Sequence, residues 1–362
     1  MKDYYLVLVL VAATFAGCRA DDADSPPSAV VFSGPAEIVE QRIQPSDTGP
    51  GIDPVVRVED FHHIAVPEID SQRKNILVVY MVGSFGAPEN SLQIARFAAS
   101  LGYGVLNIQY PNAIAVGTAC FGQDECYGQF RGETVFGENV EYAVGKPGYN
   151  EASNFVTREN SVVNRVVNLL DFLVNQEPSQ VNPQPAYWQQ FLTTDSQSPY
   201  TATNLGPAYP DWSKIIVSGH SQGGGMAPML AMNLADVLAR RVVMFAAPND
   251  NDGNGRSANW ILQPSATPME RFWGLRHADD NTLGPQVQQS WESMGGSGSG
   301  GVGGLDNNAE VDIGNGTGDP GGAQRLVLTL NEGSAHNSTV DSEILPGVVV
   351  AWEYLFTGNG ID

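Results

Sequence analysis

The chain has 362 residues, of which 42% are apolar, and a formal net charge of −22 at pH 7. A chain of this length and composition can bury a large core, and α/β enzymes of this size often form a single domain. The strong negative charge argues against nucleic acid or an anionic membrane surface as a partner, because both would repel it.

The first 17 residues are predicted to be a signal peptide. Residues 4–15 form an apolar stretch too short to span a bilayer comfortably, and the small residues Ala16 and Gly17 follow it. The segment that ends at Cys18 resembles a bacterial lipobox, whose cysteine carries lipid after cleavage. Lipidation of Cys18 is therefore expected, while simple secretion and an uncleaved anchor stay open. Contact with a membrane is expected only through this anchor.

Residues 18–50 are predicted to be a flexible tether, because acidic residues and prolines occur there without periodicity. Residues 51–362 are predicted to form one domain. It carries a glycine-rich insertion at about residues 295–322. So long a loop is either irregular or built around a ligand, and we expect the first.

The first elements of the domain predict a mixed sheet. Residues 57–66 have a strand pattern that we assign to an early antiparallel strand, in which His62 and His63 point to opposite faces and cannot share a metal. The apolar run 75–82, a helical segment at 91–101 and a second strand at 105–109 form a β-α-β unit. Such a unit requires parallel pairing.

The remaining pattern alternates helices with strands. Helices are predicted at residues 160–175, 226–240 and 344–356, and strands at 215–217, 242–246, 271–275 and 325–329. The fold class that follows is α/β, with a mostly parallel central sheet flanked by helices and interrupted by loop insertions.

Ser221 lies at the junction of the strand 215–217 and the helix that follows, in the pattern Gly-His-Ser-Gln-Gly. A serine in this pattern at a strand-to-helix turn is typical of a nucleophile elbow. The turn is too tight for side chains at Gly219 and Gly223, and it leaves the Ser221 hydroxyl projecting above the sheet. The backbone amide of Gln222 is a ready donor to an oxyanion.

A serine hydroxyl is a poor nucleophile and needs an imidazole oriented by a carboxylate. In the chain order serine, acid, histidine that accompanies such an elbow, only His277 and His336 can supply the base. We predict His336, which follows the last strand. For the acid we favour Asp280 over Asp279, and Asp250 is the third candidate.

The loop after the strand 75–82 is predicted to supply the second oxyanion donor. Its glycines, Gly83 and Gly86, allow the main chain to approach the substrate closely. Ser84 N–H is the first candidate donor and Phe85 N–H the second.

Cys120 and Cys126 remain as a pair if Cys18 is lipidated. In an exported chain they are expected to form a disulfide, with two buried thiols as the alternative.

Asp250, Asp252 and Asn254 match the first half of a calcium loop, but Ile261 stands where the bidentate glutamate is needed. Calcium there is a weak hypothesis, and no metal or organic cofactor is required for the chemistry.

Together these features resemble the α/β-hydrolase superfamily, and more narrowly a group of exported bacterial hydrolases. The resemblance covers about residues 55–356 and adds these matching segments: 109–112, 131–133 after the cysteine pair, 259–260 and the histidine-aspartate stretch after Gly274. It implies a serine hydrolase that acts on esters. Pro228 inside the helix after the nucleophile and the long insertion at 295–322 depart from the family's pattern.

The sequence therefore predicts an exported serine hydrolase that cleaves small-molecule or polymeric carboxylic esters through an acyl-enzyme. Acyl transfer or amide hydrolysis uses the same triad and stays open. A non-catalytic surface protein that binds a ligand or calcium on the same scaffold is a hypothesis of a different class.

Overall fold

A computed structural model describes residues 36–53, 60–137, 156–177, 183–194, 209–235, 237–281, 285–296, 310–330 and 333–358. The predicted signal peptide, Cys18 and most of the predicted tether lie outside the described residues.

Nine of the described strands form one sheet. The strands in chain order are β1 (Ile38–Ile43), β2 (His62–Pro67), β3 (Leu77–Met81), β4 (Gly104–Ile108), β5 (Leu192–Thr193), β6 (Tyr209–Pro210), β7 (Ile215–His220), β8 (Arg241–Phe245), β9 (Phe272–His277), β10 (Val311–Asp312) and β11 (Arg325–Leu328). The sheet order is β1-β2-β4-β3-β7-β8-β9-β11-β10, and β5 pairs only with β6. β1 and β2 pair antiparallel, and from β4 to β10 every pairing is parallel.

Helices cover the sheet and connect its strands. They are α1 (Pro45–Thr48), α2 (Leu92–Ser100), α3 (Val116–Ala119), α4 (Asp124–Phe136), α5 (Val162–Val174), α6 (Pro185–Gln189), α7 (Gln222–Met232), α8 (Gln286–Ser293) and α9 (Val348–Thr357). The predicted α/β class, a mostly parallel central sheet flanked by helices, is confirmed. A strand buried on both faces is built mainly from apolar residues, and β3 and the first half of β7 are therefore recognisable in the sequence as continuous apolar runs.

The predicted boundary between tether and domain is wrong in one respect. β1 and α1 lie inside residues 18–50, and β1 pairs with β2 along its whole length, from Ile38 opposite Pro67 to Ile43 opposite His62. The ordered domain therefore begins before residue 51. The sequence of β1, Ile-Val-Glu-Gln-Arg-Ile, has polar residues at its centre, as suits a strand at the edge of a sheet, and this hid it among the polar residues of the tether.

The glycine-rich insertion is described only in part, at residues 295–296 and 310–322. The second part contains β10, which pairs with β11 at the sheet edge, and Ile313 N–H donates to Val327 O at 2.9 Å. This part of the insertion is thus an edge strand followed by turns, not an irregular loop.

Pro228 and the cysteine pair both lie in or beside helices. α7 runs unbroken through Pro228, although a proline inside a helix removes one backbone hydrogen bond. Cys120 and Cys126 form the predicted disulfide between α3 and α4.

None of the described helices is both long enough and apolar enough to cross a bilayer.

The boundary of the domain can be tested with two truncated chains, one starting at residue 36 and the other at residue 51. The shorter chain lacks β1 and the buried Ile43, so its free energy of unfolding should be lower by about 2 kcal/mol or more. Urea unfolding followed by circular dichroism measures this difference. Equal unfolding midpoints for the two chains would show that β1 is not part of the folded domain.

Candidate active site

Ser221 lies at a sharp turn between β7 and α7. Its backbone has φ 55° and ψ −120°, in the left-handed half of the φ range that residues with side chains seldom adopt. Its N–H donates to Phe245 O on β8 at 2.9 Å, and Gly225 N–H donates to Ser221 O at 3.2 Å. The strained turn is thus held by the neighbouring strand and by the first turn of α7, as a nucleophile elbow requires.

Close backbone contact explains the glycines of this turn. A Cβ added to Gly223 would lie 2.2 Å from Met81 O and 2.5 Å from Val82 O, at the end of β3. A Cβ on Gly219 would lie 2.5 Å from the carbonyl carbon of Gly223. No side chain fits between β3, β7 and α7, so the end of β3 lies directly against the elbow.

The loop after β3 therefore contacts the serine. A Cβ on Gly83 would lie 3.1 Å from Ser221 Cβ and 3.5 Å from its Oγ. Ser84 follows directly, which keeps its N–H as the candidate for the second oxyanion donor. Phe85 N–H, the second candidate, instead donates to Asn112 O at 2.9 Å, so it is already used within the loops.

The side chain of Gln222 joins two loops beside the serine. Its Oε1 accepts hydrogen bonds from Ser84 Oγ at 2.7 Å and from Val116 N at 2.9 Å. The residue is buried, and because the backbone amide of Val116 can only donate, the orientation of the Gln222 amide is fixed. This interaction holds Ser84 beside the backbone N–H of Gln222, the other candidate donor.

The structure brings Asp280 and His336 together. His336 Nδ1 lies 2.8 Å from Asp280 Oδ2, and the two side chains are 17% and 4% exposed. Asp280 follows β9, and His336 lies in the segment after β11, which pairs with β9 in parallel. Neighbouring parallel strands end at the same edge of the sheet, which explains how residues 56 positions apart meet.

Asp279 and His277 have other roles. The Asp279 side chain is exposed, and its backbone N–H donates to His277 Nδ1 at 3.0 Å. His277 Nε2 lies 3.2 Å from Leu330 O, which can only accept, so this nitrogen carries the proton. Both ring nitrogens of the buried His277 are therefore occupied, Nδ1 within the turn after β9 and Nε2 in a bond that joins the ends of β9 and β11.

His220, next to the serine in sequence, connects the elbow to the His336 loop. Its Nε2 lies 3.0 Å from His336 O, and the two imidazole rings are 4.6 Å apart. Because the carbonyl only accepts, Nε2 of His220 carries a proton. Burial first, and then the charge of His336, lower the pKa of His220 to about 3, so the ring is neutral near pH 7.

Asp250 is the third acid candidate, and the structure gives it a different partner. Its carboxylate forms a bidentate ion pair with Arg131 on α4, at 2.5 and 2.7 Å, and accepts from Trp260 Nε1 at 2.8 Å. The Arg131 and Asp250 side chains are 1% and 0% exposed. With its oxygens occupied in this way, Asp250 does not orient His336.

Arg131 also supports the elbow helix. Its Nη1 donates to Gln222 O at 3.0 Å, and a Cβ on Gly225 would lie 2.3 Å from this nitrogen. The guanidinium group therefore packs against the first turn of α7 where a side chain would otherwise be. The ion pair keeps this buried cation neutralised beside the first turn of α7.

The residues of the weak calcium hypothesis have other partners in the structure. Asp250 is engaged by Arg131, while Asp252 Oδ1 accepts from the backbone amides of Asn254 and Arg256 at 2.8 and 3.0 Å. Asp252 thus closes its own turn. Over the part of the chain that the structure describes, no three acidic, histidine or cysteine residues are grouped as metal ligands.

Two features of the site could not be found from sequence alone. The sequence drew attention to residues 131–133 and 259–260 without a role for them, and the pairing of Arg131 with Asp250 spans 119 positions. His220 belongs to the elbow motif, but nothing in the motif indicates that its ring contacts the histidine loop.

Several solved structures are similar to this one at low identity. A dienelactone hydrolase from Klebsiella pneumoniae subsp. pneumoniae MGH 78578 is 11% identical at a TM-score of 0.40, with 89% of this chain and 100% of that chain covered. A bacterial heroin esterase is 16% identical at a TM-score of 0.36, and the match covers 91% of this chain and 86% of that chain. Esterase B from Lactobacillus rhamnosis is 11% identical at a TM-score of 0.35, and the match covers 90% of this chain and 88% of that chain. No protein-family model and no curated protein matches the chain.

The contact between Gly223 and β3 can be tested by Gly223→Ala. The added methyl group would meet backbone atoms that cannot rotate away, so the free energy of unfolding should fall by about 3 kcal/mol or more. Gly117→Ala is the matched control, because a Cβ on Gly117 has nothing within 4 Å. Its stability, measured in urea, should stay within about 1 kcal/mol of the wild type. Similar losses in both variants would contradict the packing argument.

The neutral state of buried His220 predicts a pH dependence of stability. Because its pKa is about 3 in the folded protein and near 6.5 when unfolded, the unfolded chain binds the extra proton between these values. The resulting stability is complete above about pH 6.5 and is lost as the pH falls toward 3.

In His220→Gln, which keeps an N–H donor for His336 O, this dependence should weaken. The slope of unfolding free energy against pH should fall by up to about 1.4 kcal/mol per pH unit between pH 6.5 and 4. Urea unfolding at a series of pH values measures it. An unchanged slope would mean that His220 is not buried in its neutral form.

Proposed function

We propose that the chain is an exported serine hydrolase that cleaves carboxylic esters, with Ser221 as nucleophile, His336 as general base and Asp280 as the acid that orients it. The observation that supports this best is the 2.8 Å contact between His336 Nδ1 and Asp280 Oδ2, in a loop that His220 ties to the elbow. With Nδ1 bonded to a carboxylate, Nε2 of His336 is left to accept a proton.

In the first half of the reaction, Ser221 Oγ attacks the ester carbonyl carbon while its proton passes to His336 Nε2. The carbonyl oxygen becomes an oxyanion and accepts hydrogen bonds from the N–H groups of Gln222 and Ser84. Asp280 stabilises the imidazolium ion that has formed. His336 then donates the proton to the leaving alkoxide, the C–O bond breaks, and an alcohol leaves the acyl-enzyme.

In the second half, water replaces the alcohol. His336 Nε2 takes a proton from water, the hydroxide attacks the acyl carbon, and the same oxyanion donors stabilise the second tetrahedral intermediate. Ser221 Oγ leaves with the proton returned by His336. The products are an alcohol and a carboxylic acid, and the enzyme is restored.

The start of α7 adds to the stabilisation of both intermediates. The first amides of a helix have no partner within it, and the aligned peptide dipoles favour negative charge at this end. The oxyanion would form at the N-terminus of α7, where Gln222 is the first residue. The sharp turn at Ser221 brings the hydroxyl and this helix end to the same place.

The choice of Asp280 over Asp279 rests on burial and distance. Asp280 is buried and contacts His336, whereas the carboxylate of Asp279 is exposed. A buried carboxylate holds an imidazolium more strongly, because water screens the interaction less.

Acyl transfer or amide hydrolysis on the same residues is the alternative function. Those reactions differ only in the group that leaves or accepts the acyl chain. The disulfide between Cys120 and Cys126 supports export, since such bonds persist in oxidising compartments. We propose cleavage of the signal peptide and lipidation of Cys18 as the means of anchoring, with simple secretion as the alternative.

Ser221→Ala, His336→Gln and Asp280→Asn test the triad on p-nitrophenyl acetate. Each removes a group that the others cannot replace, so kcat/KM should fall by about 10⁴-fold in each, and combining two of them should cost little more.

Asp279→Asn is the matched control. It makes the same chemical change one position away and leaves the backbone bond to His277 intact, so its kcat/KM should stay close to the wild-type value. Retained turnover in Ser221→Ala would contradict the proposed function. A larger loss in Asp279→Asn than in Asp280→Asn would contradict the choice of acid.

A further inference from the structure

Phe85 combines backbone strain with exposure. It has φ 61°, a conformation that is unfavourable for a bulky side chain, and it is 57% exposed. Phe85 lies outside the buried core, so packing of its ring in the core does not account for a phenylalanine at this position. Strain that persists at such a place points to function.

Hydrogen bonds hold the strained turn in place. Phe85 N–H donates to Asn112 O at 2.9 Å, and Asn112 Nδ2 donates to both Gly83 O and Gly86 O at 2.8 Å. Gly86 N–H also donates to Gly83 O at 3.2 Å. The loops after β3 and β4 thus form one unit, which fixes the backbone that carries the Phe85 side chain.

This unit lies beside the nucleophile. Gly83 contacts Ser221, and Ser84 is bonded to Gln222. A second exposed apolar residue, Ile114, is 40% exposed. It lies between Asn112, which bonds to the Phe85 turn, and Val116, whose N–H donates to Gln222 Oε1. The segments that carry Phe85 and Ile114 are therefore both bonded to Gln222, the residue after Ser221, through Ser84 and Val116.

The sheet order indicates which part of the ester lies near them. β3 and β4 are on one side of β7, and β11 is on the other. Because His336 follows β11 and has to protonate the leaving alkoxide, the alcohol part of the ester lies on that side. The oxyanion is bonded to the N–H of Ser84, and the alcohol part lies toward His336. The acyl chain is therefore the part of the ester that lies on the side of Phe85.

We propose that Phe85, with Ile114, binds the acyl chain of the substrate and makes the enzyme selective for esters of apolar acids longer than acetate. The inference rests on the proposed ester hydrolysis and extends it to the substrate class. Apolar contact favours each additional methylene group, since every CH₂ removed from water adds to binding. The backbone strain at Phe85 is retained because its ring serves the substrate and not the core.

The test compares the wild type with Phe85→Ala, Phe85→Gly and Ile114→Ala on p-nitrophenyl acetate, butyrate and hexanoate. In the wild type, kcat/KM should rise with chain length, by up to about fourfold for each added CH₂. In the Phe85 variants this dependence should flatten, so that hexanoate loses most and acetate least. Ile114→Ala should show a smaller change in the same direction.

Ile69→Ala is the matched control. Ile69 is 53% exposed, close to the value for Phe85, and it follows β2, which runs antiparallel to β4 and so ends at the opposite edge of the sheet. The dependence of kcat/KM on acyl chain length should be the same in Ile69→Ala as in the wild type. A thermal unfolding measurement adds a second readout. Phe85→Gly relieves the strain and should unfold at the wild-type temperature or above it.

Several outcomes would overturn the proposal. An equal loss on all three esters, accompanied by a lower unfolding temperature, would mean that Phe85 only supports the loop. A fall in kcat/KM of the Phe85 variants that depends on the size of the alcohol in a series of acetate esters, and not on the acyl chain, would mean that Phe85 contacts the alcohol and would contradict the proposal. An unchanged dependence in both Phe85 variants, with hydrolysis still dependent on Ser221, would overturn this inference and leave the proposed function standing. Hydrolysis that does not depend on Ser221 would overturn both.

Discussion

The site depends on the close approach of α7 to the end of β3. Gly223 leaves no room for a side chain between its own backbone and the carbonyl groups of Met81 and Val82. This contact lets the turn at Ser221 adopt its strained conformation, and it places the loop after β3 against Ser221. Ser221, the backbone amides of Ser84 and Gln222 and the N-terminus of α7 then lie close together.

Three polar side chains join the remaining parts of the site to this contact. Gln222 holds the loops after β3 and β4, Arg131 packs against the first turn of α7 while paired with Asp250, and His220 bonds to the backbone of His336. Each of them is buried, and each reaches a different loop. Breaking any of these buried hydrogen bonds would leave a polar group without its partner, so the bonds favour one arrangement of the loops.

Much of the fold could be predicted because it follows from local patterns. Continuous apolar runs marked β3, β7 and β8, and glycines around Ser221 marked the turn. β1 was not predicted because an edge strand needs few apolar residues, and β10 was not predicted because it is only two residues long. In the candidate site, motif and chain order were enough to predict the turn at Ser221 and to propose His336 with an aspartate at 279 or 280 as its partner.

The sequence could not show which residues are neighbours in space. Asp279 and Asp280 are adjacent in sequence, and only their burial and the position of His336 distinguish them. Asp250 looked available as an acid or a metal ligand because nothing local reveals that Arg131, 119 positions away, contacts its carboxylate. The exposure and backbone strain of Phe85 also become visible only when the loops are folded.

Covalent labelling tests whether Ser221 is an activated nucleophile, as we propose. The folded protein would be treated with a fluorophosphonate, which reacts with activated serines, and then analysed as intact protein and as peptides by mass spectrometry. We expect one phosphonyl group per chain, on the peptide that contains Ser221, and no labelling after unfolding in urea. Absence of an adduct on the folded protein, or an adduct on a different serine, would contradict it.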